Sequence, residues 1–230
     1  MWLFSPPARP RPGARRVPAD MVCAAIARAT RRRPWGLPVP VACVAGWRGA
    51  QARMRASRPA LVTVMTVRSP VRWPDPRLAE ASRPVAAFDA ALRALADELL
   101  AMMRAAPGVG ATAAHMGVPL RLFAIELPGD AGPRFYVNAE IIEASAQMQN
   151  HTEGSISMPG AHGEVTRPAR VRVRWQDLDG ALHEEAADGF RAACLQHEID
   201  QMNGIFWLQR LSRLKRDRII ARWRKQMKLT

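Results

Sequence analysis

The chain has 230 residues, 34 Lys+Arg against 20 Asp+Glu, a formal net charge of +14 and 48% apolar residues. That length accommodates one ordinary domain with extra segments, or at most two small ones. The apolar share excludes a fully disordered chain, and no uncharged apolar run reaches the roughly 18 residues of a transmembrane helix. A charge of this size points to nucleic acid or an acidic surface only if it belongs to the folded part. It is concentrated at the ends: residues 1–64 carry 12 Arg and one acid, residues 205–230 carry 9 Lys+Arg and one acid, and the stretch between carries 13 basic and 18 acidic residues.

Residues 1–64 hold 9 of the 19 prolines. Proline fixes φ and lacks a donor, so this density breaks helix and strand ladders alike. No period of 3.6 or 2 is sustained. Three readings stay open for this Arg/Pro-rich leader: a start codon set too far upstream, with Met54 or Met65 as the true start; a disordered basic tail; or an organelle transit peptide, which the proline content disfavours. Two of the three cysteines, Cys23 and Cys43, lie in this leader, leaving Cys194 alone in the remainder. No disulfide framework or paired-cysteine metal knuckle is possible there, and a reducing, cytoplasmic compartment fits.

From Pro84, Val85, Phe88, Leu92, Leu95, Leu99 and Met102 recur at helical steps. They predict a helix of about 20 residues ending before Pro107-Gly108, with one face in the core. Leu120–Leu127, Arg134–Asn138 and Val171–Trp175 read as strands, the last by alternation of Val171, Val173 and Trp175 with Arg172 and Arg174. Asp179-Gly180 predicts a hairpin turn. A second helix is expected from about Gly189 to Asn203, and a third, basic and amphipathic, soon after Ile205. Helix, short strands and then helices make an α+β domain over residues 65–230.

Three segments carry chemistry. Gln196-His197-Glu198-Ile199-Asp200-Gln201 lies on the second helix, where positions i and i+4 share a face. His-Glu-x-x-His uses that spacing to aim two imidazoles at one metal with a Glu beside them, but here Gln201 stands at the second position. Gly108-Val109-Gly110-Ala111-Thr112-Ala113-Ala114-His115 permits positive φ or close backbone approach at its glycines. It lacks the third Gly and the Lys-Ser/Thr of a phosphate loop. Glu153-Gly154-Ser155-Ile156-Ser157 is the third segment.

In this order and spacing the three segments resemble the peptide deformylase family. They stand where the family has GxGLAAxQ, EGCLS and QHExDHLxGxLF. Val71-Arg72-Trp73-Pro74-Asp75-Pro76-Arg77-Leu78 and Tyr136-Val137-Asn138-Ala139-Glu140-Ile141 resemble two further family stretches. The resemblance implies antiparallel strands packed around a central HExxH-type helix. It implies hydrolysis of the formyl group from N-formylmethionyl peptides by Fe²⁺ or Zn²⁺ held by Cys and two His. The Glu would move protons, and a backbone N–H and a Gln side chain would hold the oxyanion.

Carried over, the resemblance assigns Glu198, His115 and the Ile156 backbone N–H to catalysis. It assigns His197, Gln201 and Ser155 to the metal, and Gly108, Val109, Gly110, Glu153 and Gly154 to the peptide. Ser155 replaces the Cys, Gln201 the second His, and His115 the oxyanion Gln; Ala111 and Thr112 replace Leu-Ala. A serine hydroxyl is a far weaker acid than a thiol, and an amide oxygen is a weak ligand beside imidazole. The expectation is a metal bound weakly or not at all, with hydrolysis lost or strongly reduced. Two alternatives stay open: an active deformylase or rewired hydrolase in which His115 and His197 form a new two-His site with Glu198 or Ser155, and a ribosome-associated peptide-binding module. Without metal, His115 is expected to hydrogen-bond Gln201 or Glu198. Cys194 is expected to be a core thiol rather than a ligand, and His151, His162 and His183 to be surface residues.

Leu208, Leu211, Ile220, Trp223 and Met227 are expected to share one face of the last helix, with Arg210, Arg213, Lys215, Arg216, Arg218, Arg222, Arg224 and Lys225 around the rest. It is either a solvated basic helix or, by the same resemblance, a contact to ribosomal RNA. The chain is expected to be a monomer without membrane contact, with nascent or N-terminal peptides as partners.

Overall fold

The computed structural model describes residues 68–228. The proposed leader, residues 1–64, lies outside them. Seven strands and three α-helices follow one another: α1 (Ala90–Ala105), β1 (Gly110–Thr112), β2 (Leu122–Ile125), β3 (Arg134–Ala144), β4 (Met148–Gly154), β5 (His162–Pro168), β6 (Arg170–Gln176), β7 (Leu182–Asp188), α2 (Gly189–Met202) and α3 (Arg213–Met227). Five strands form an antiparallel sheet in the order β1-β2-β3-β6-β7, and β4 and β5 make a separate hairpin.

The sheet is covered on both faces. Phe123, Ile125, Tyr136, Val173 and Trp175 pack with Leu195, Ile199 and Met202 of α2. Leu122, Ala124 and Val137 pack with Leu92, Leu99, Met102 and Met103 of α1. Strand β2 alternates between these two cores, so it reads as an unbroken apolar run. A third cluster joins Leu78, Met158 and Val165 to Trp207, Leu208, Leu211 and Ile219. This is the expected α+β fold, with α2 as the central helix: every residue from Ala192 to Met202 is buried. Among the described residues no helix is long and apolar enough to cross a membrane.

The first helix begins at Ala90, not at Pro84. The Asp89 carboxylate accepts from the Ala91 and Leu92 N–H groups and sets the start. Residues before it are held extended. Val85 N–H donates to Asn138 Oδ1 (2.8 Å) and Asn138 Nδ2 donates back to the Val85 carbonyl (2.9 Å). Val85 and Phe88 still join the α1 cluster, so the periodicity identified core residues but not helix residues. The Asp179-Gly180 turn closes β6–β7, and Gly180 has φ +83°. Helix α2 ends at Met202 with Asn203 as its C-cap; Gly204 follows at φ +74°, where a Cβ would lie 2.5 Å from the Ala79 carbonyl oxygen. Leu208 lies in a 3₁₀ turn (Trp207–Arg210), and α3 starts only after the Ser212 cap. Its buried residue is Ile219, with Ile220 and Trp223 partly covered and Met227 exposed, so the five residues expected on one helical face do not share one.

Candidate functional site

The three motifs converge on the middle of α2. Strand β1 is the edge of the large sheet, and Gly110 lies against Glu198: a Cβ at Gly110 would sit 2.4 Å from Glu198 Oε1. A Cβ at Gly108 would meet Ile156 Cγ2 at 2.9 Å. Close approach, rather than positive φ, is what these glycines supply, for neither has a left-handed backbone. Gly110→Ala is therefore expected to destabilise the fold by ~1–3 kcal/mol through overpacking. Urea unfolding checks it, and the loss should largely vanish in a Glu198→Ala background.

After β4, Ser155 and Ile156 enter a turn closed by the Met158 N–H on the Ser155 carbonyl (2.9 Å). Neighbouring segments pin it. Trp73 N–H donates to the Ser157 carbonyl (2.9 Å), Arg72 Nη1 to the Ile156 carbonyl (3.3 Å) and Trp223 Nε1 to the Pro159 carbonyl (3.0 Å). Within the described residues no protein acceptor takes the Ile156 N–H.

His115 sits on a 3₁₀ turn directly after β1, 1% exposed. Its Nδ1 accepts the Thr112 backbone N–H (3.0 Å), with the Thr112 hydroxyl 2.9 Å away. Its Nε2 faces Ser155 Oγ at 3.5 Å. Burial, reinforced by the neighbouring His197, pushes its pKa down to about 3. The expected bond to Gln201 or Glu198 is not made. Gln201 Nε2 instead donates to the Leu78 carbonyl (2.8 Å), and Ser155 Oγ accepts the Ser157 N–H (3.1 Å).

His197, 5% exposed, is joined through Nδ1 to Glu153 Oε2 (2.8 Å), which leaves Nε2 for the site. Burial opposes its charged form, but Glu153 and then Glu198 outweigh burial and raise its pKa. Glu153 is itself clasped by Arg167, Nε to Oε1 at 2.5 Å and Nη2 to Oε2 at 2.9 Å. Burial would raise its pKa, yet the hydrogen bonds from Arg167 and His197 hold it at about 2. Arg167 Nη1 continues to Asp200 (2.7 Å), and Arg210 completes the array on the same carboxylate. Glu198, 1% exposed, has a pKa raised by burial to about 7, against the pull of His197, and its Oε2 has no hydrogen-bond partner among the described residues.

The sequence reading missed Arg167 and Asp200. A signal existed for Arg167: it shares strand parity with buried Val165, so its guanidinium turns inward and demands a partner. The structure places Cys194 in the core, its thiol pKa raised first by burial, and it faces no ligand set. His162 and His183 are exposed; His151 is half-buried, its ring 6.1 Å from that of Phe190, so its expected surface position is corrected.

The three motifs thus assemble an α+β framework whose central helix carries a buried His-Glu pair, flanked by a glycine-containing edge strand and a pinned turn. The polypeptide deformylase family model matches residues 67–217. A "peptide deformylase-like" protein of Brucella melitensis is 56% identical over 161 residues, covering 70% of this chain and 98% of that protein. A peptide deformylase of Afipia carboxidovorans is 43% identical over 168 residues, covering 72% and 98%. A peptide deformylase crystal structure from Legionella pneumophila superposes with a TM-score of 0.67 at 37% identity, covering 71% of this chain and 96% of that one. The chain belongs to the polypeptide deformylase family.

The family is metal-dependent, and the side chains at the expected ligand positions do not fit an Fe²⁺ or Zn²⁺ ion. They are one imidazole, a neutral hydroxyl already accepting a backbone N–H, and an amide whose NH₂ is turned to a carbonyl. Soft or imidazole donors are what such ions select. His115 does not make up the loss. With Thr112 N–H on Nδ1, its proton sits on Nε2, the nitrogen that faces the site.

Proposed function

We propose that this protein is a deformylase-family member that has lost most or all metal-dependent hydrolysis and keeps the cleft as a binding site for peptide N-termini. The donor set carries this reading: His197 alone retains an available imidazole nitrogen. Without a metal, Glu198 alone would have to activate water against a formamide. Metal polarisation and water activation supply several kcal/mol, and each ~1.4 kcal/mol is tenfold in rate, so turnover should fall by ~10³-fold or more. The peptide would lie as an added strand along the outer edge of β1, beside Gly108, Val109 and Gly110, with Glu153-Gly154 at the end of β4 opposite. The test is release of formate from an N-formylmethionyl peptide by protein incubated anaerobically with Fe²⁺ or Zn²⁺. Turnover matching an active family member assayed beside it would reject the reading.

A second reading concerns α3. Lys215, Arg218 and Arg222 line a groove of about 480 Å³ with Leu211 and Ile219 as apolar floor, and Glu164 is the one acid on its rim. None of the three cations is ion-paired to another described residue. We propose that this face binds RNA, the ribosome being the partner the family resemblance implies. Neutralising three phosphates gives a log–log salt slope of about −2 to −3. Changing Lys215, Arg218 and Arg222 to Glu should abolish co-sedimentation with ribosomes at low salt, and unchanged co-sedimentation would reject this role.

A further inference from the structure

We propose that a pocket of about 440 Å³ beside the cleft takes a carboxylate carried by the bound peptide downstream of its N-terminus, with Arg72 as anchor and Arg68 as second cation. The inference rests on the peptide-binding reading of the cleft and adds what the peptide carries. Met102, Pro107, Ile156 and Pro159 supply the apolar wall of the pocket, and Arg68 and Arg72 its charged part. Among the described residues no acid lines it.

The pocket adjoins the cleft through two of these residues. Pro107 leads directly into Gly108, and Ile156 belongs to the pinned turn, its Cγ2 lying 2.9 Å from where a Gly108 Cβ would be. A peptide lying beside Gly108 therefore has the pocket within reach of its side chains.

Arg72 has no carboxylate partner among the described residues. Its Nη1 donates to the Ile156 carbonyl at 3.3 Å, a long bond that holds the guanidinium against the turn. A guanidinium has five N–H donors, so most of its capacity is open. Arg68 Nε lies 3.2 Å from Glu98 Oε2, but these side chains are 55% and 39% exposed, and Glu98 does not line the pocket. Exposed pairs of this kind hold weakly and exchange with a competing anion. The C-terminal end of α1 also reaches the pocket through Ala105 and Ala106 and brings about half a negative charge. That offsets only part of the Arg72 charge, so the pocket favours an anion. A carboxylate on a short stem fits both halves: its methylenes meet the apolar wall, and its two oxygens match the arginine fork. A lysine or arginine side chain would meet like charge. An acidic side chain and the free C-terminus of a short peptide both supply the group.

Calorimetric titration separates these sources. Short N-formylmethionyl peptides with amidated C-termini would differ only in a glutamate or a glutamine at the second, third or fourth position. At one position the glutamate peptide should bind ~10-fold tighter than its glutamine twin, with the preference shrinking as salt rises. The same advantage gained by a glutamine peptide with a free C-terminus would make the terminal carboxylate the source. Arg72→Gln should cut the preference to ~2-fold or less while holding the glutamine peptides within ~3-fold of the parent, and Arg72→Lys should keep part of it. Arg68→Gln should reduce the preference ~3-fold. A parent that binds the charged and uncharged peptides alike, or a preference that survives in Arg72→Gln, overturns the inference while leaving the cleft a peptide site. Should Arg72→Gln release the turn and weaken the glutamine peptides too, Arg68→Gln decides, since a preference unchanged in that variant overturns the inference. A parent that binds none of the peptides overturns the peptide-binding reading itself.

Discussion

Ser155→Cys combined with Gln201→His is expected to turn this protein into a metal-loaded hydrolase. The rest of the centre is in place. His197 already has its Nδ1 on the Glu153 carboxylate, the outer contact that orients a metal-binding imidazole and leaves Nε2 free. Glu198 follows on the same helix, buried, with a pKa near 7 that suits proton transfer at neutral pH. The two substitutions add a thiolate at position 155 and a second imidazole at position 201, one helical turn after His197. Purified anaerobically with Fe²⁺ or Zn²⁺, the double variant should retain about one equivalent of metal through dialysis. It should release formate from an N-formylmethionyl peptide ~10³-fold or more faster than the parent. Adding Glu198→Gln should remove that gain while leaving the metal bound. A parent that already turns over as fast as the double variant would show that the substituted ligands cost nothing.

Replacing Arg167 by Met is expected to be the most damaging single change to stability. Arg167 is 4% exposed and neutralises two carboxylates that are also out of water, Glu153 and Asp200. Removing one partner of a buried ion array leaves an uncompensated charge and costs ~3–5 kcal/mol. The urea midpoint should fall accordingly. The pH dependence identifies the cause. Glu153 titrates near 2 in the folded protein against a usual value of 4.5. A depressed carboxylate contributes stability that is complete above the unfolded value and lost as pH falls through the folded one. The gap between parent and Arg167→Met should therefore narrow as pH is lowered from about 5 toward 2. A gap that is constant over that window would assign the loss to packing instead. Arg167→Lys should recover only part of the stability, because an ammonium cannot reach both carboxylates in the forked geometry.

Much of this was legible in the chain itself. Alternation in Val171–Trp175 and the Asp179-Gly180 turn specified the β6–β7 hairpin, because a strand with one buried face must alternate. The apolar run at Leu120–Leu127 marked β2, and Asn203-Gly204 marked the end of α2. The family is a property of residue identity at fixed spacing, so sequence was sufficient for it. Helix α1 was misplaced at its start because Asn138, some fifty residues later, ties Val85 into extended backbone. No local period carries that contact.

The site chemistry divides in the same way. Sequence placed a histidine where the resemblance implies an amide donor, and left it either part of a two-His site with His197 or hydrogen-bonded to Gln201 or Glu198. The fold instead sets the Thr112 N–H on its Nδ1, with Nε2 facing Ser155. Arg167 reads as an ordinary basic residue among 34 Lys+Arg, and only the pairing of β4 with β5 against α2 brings Glu153, Asp200 and His197 around it. Proton positions and buried charge depend on which groups meet across the core, and those meetings exist only in the tertiary structure.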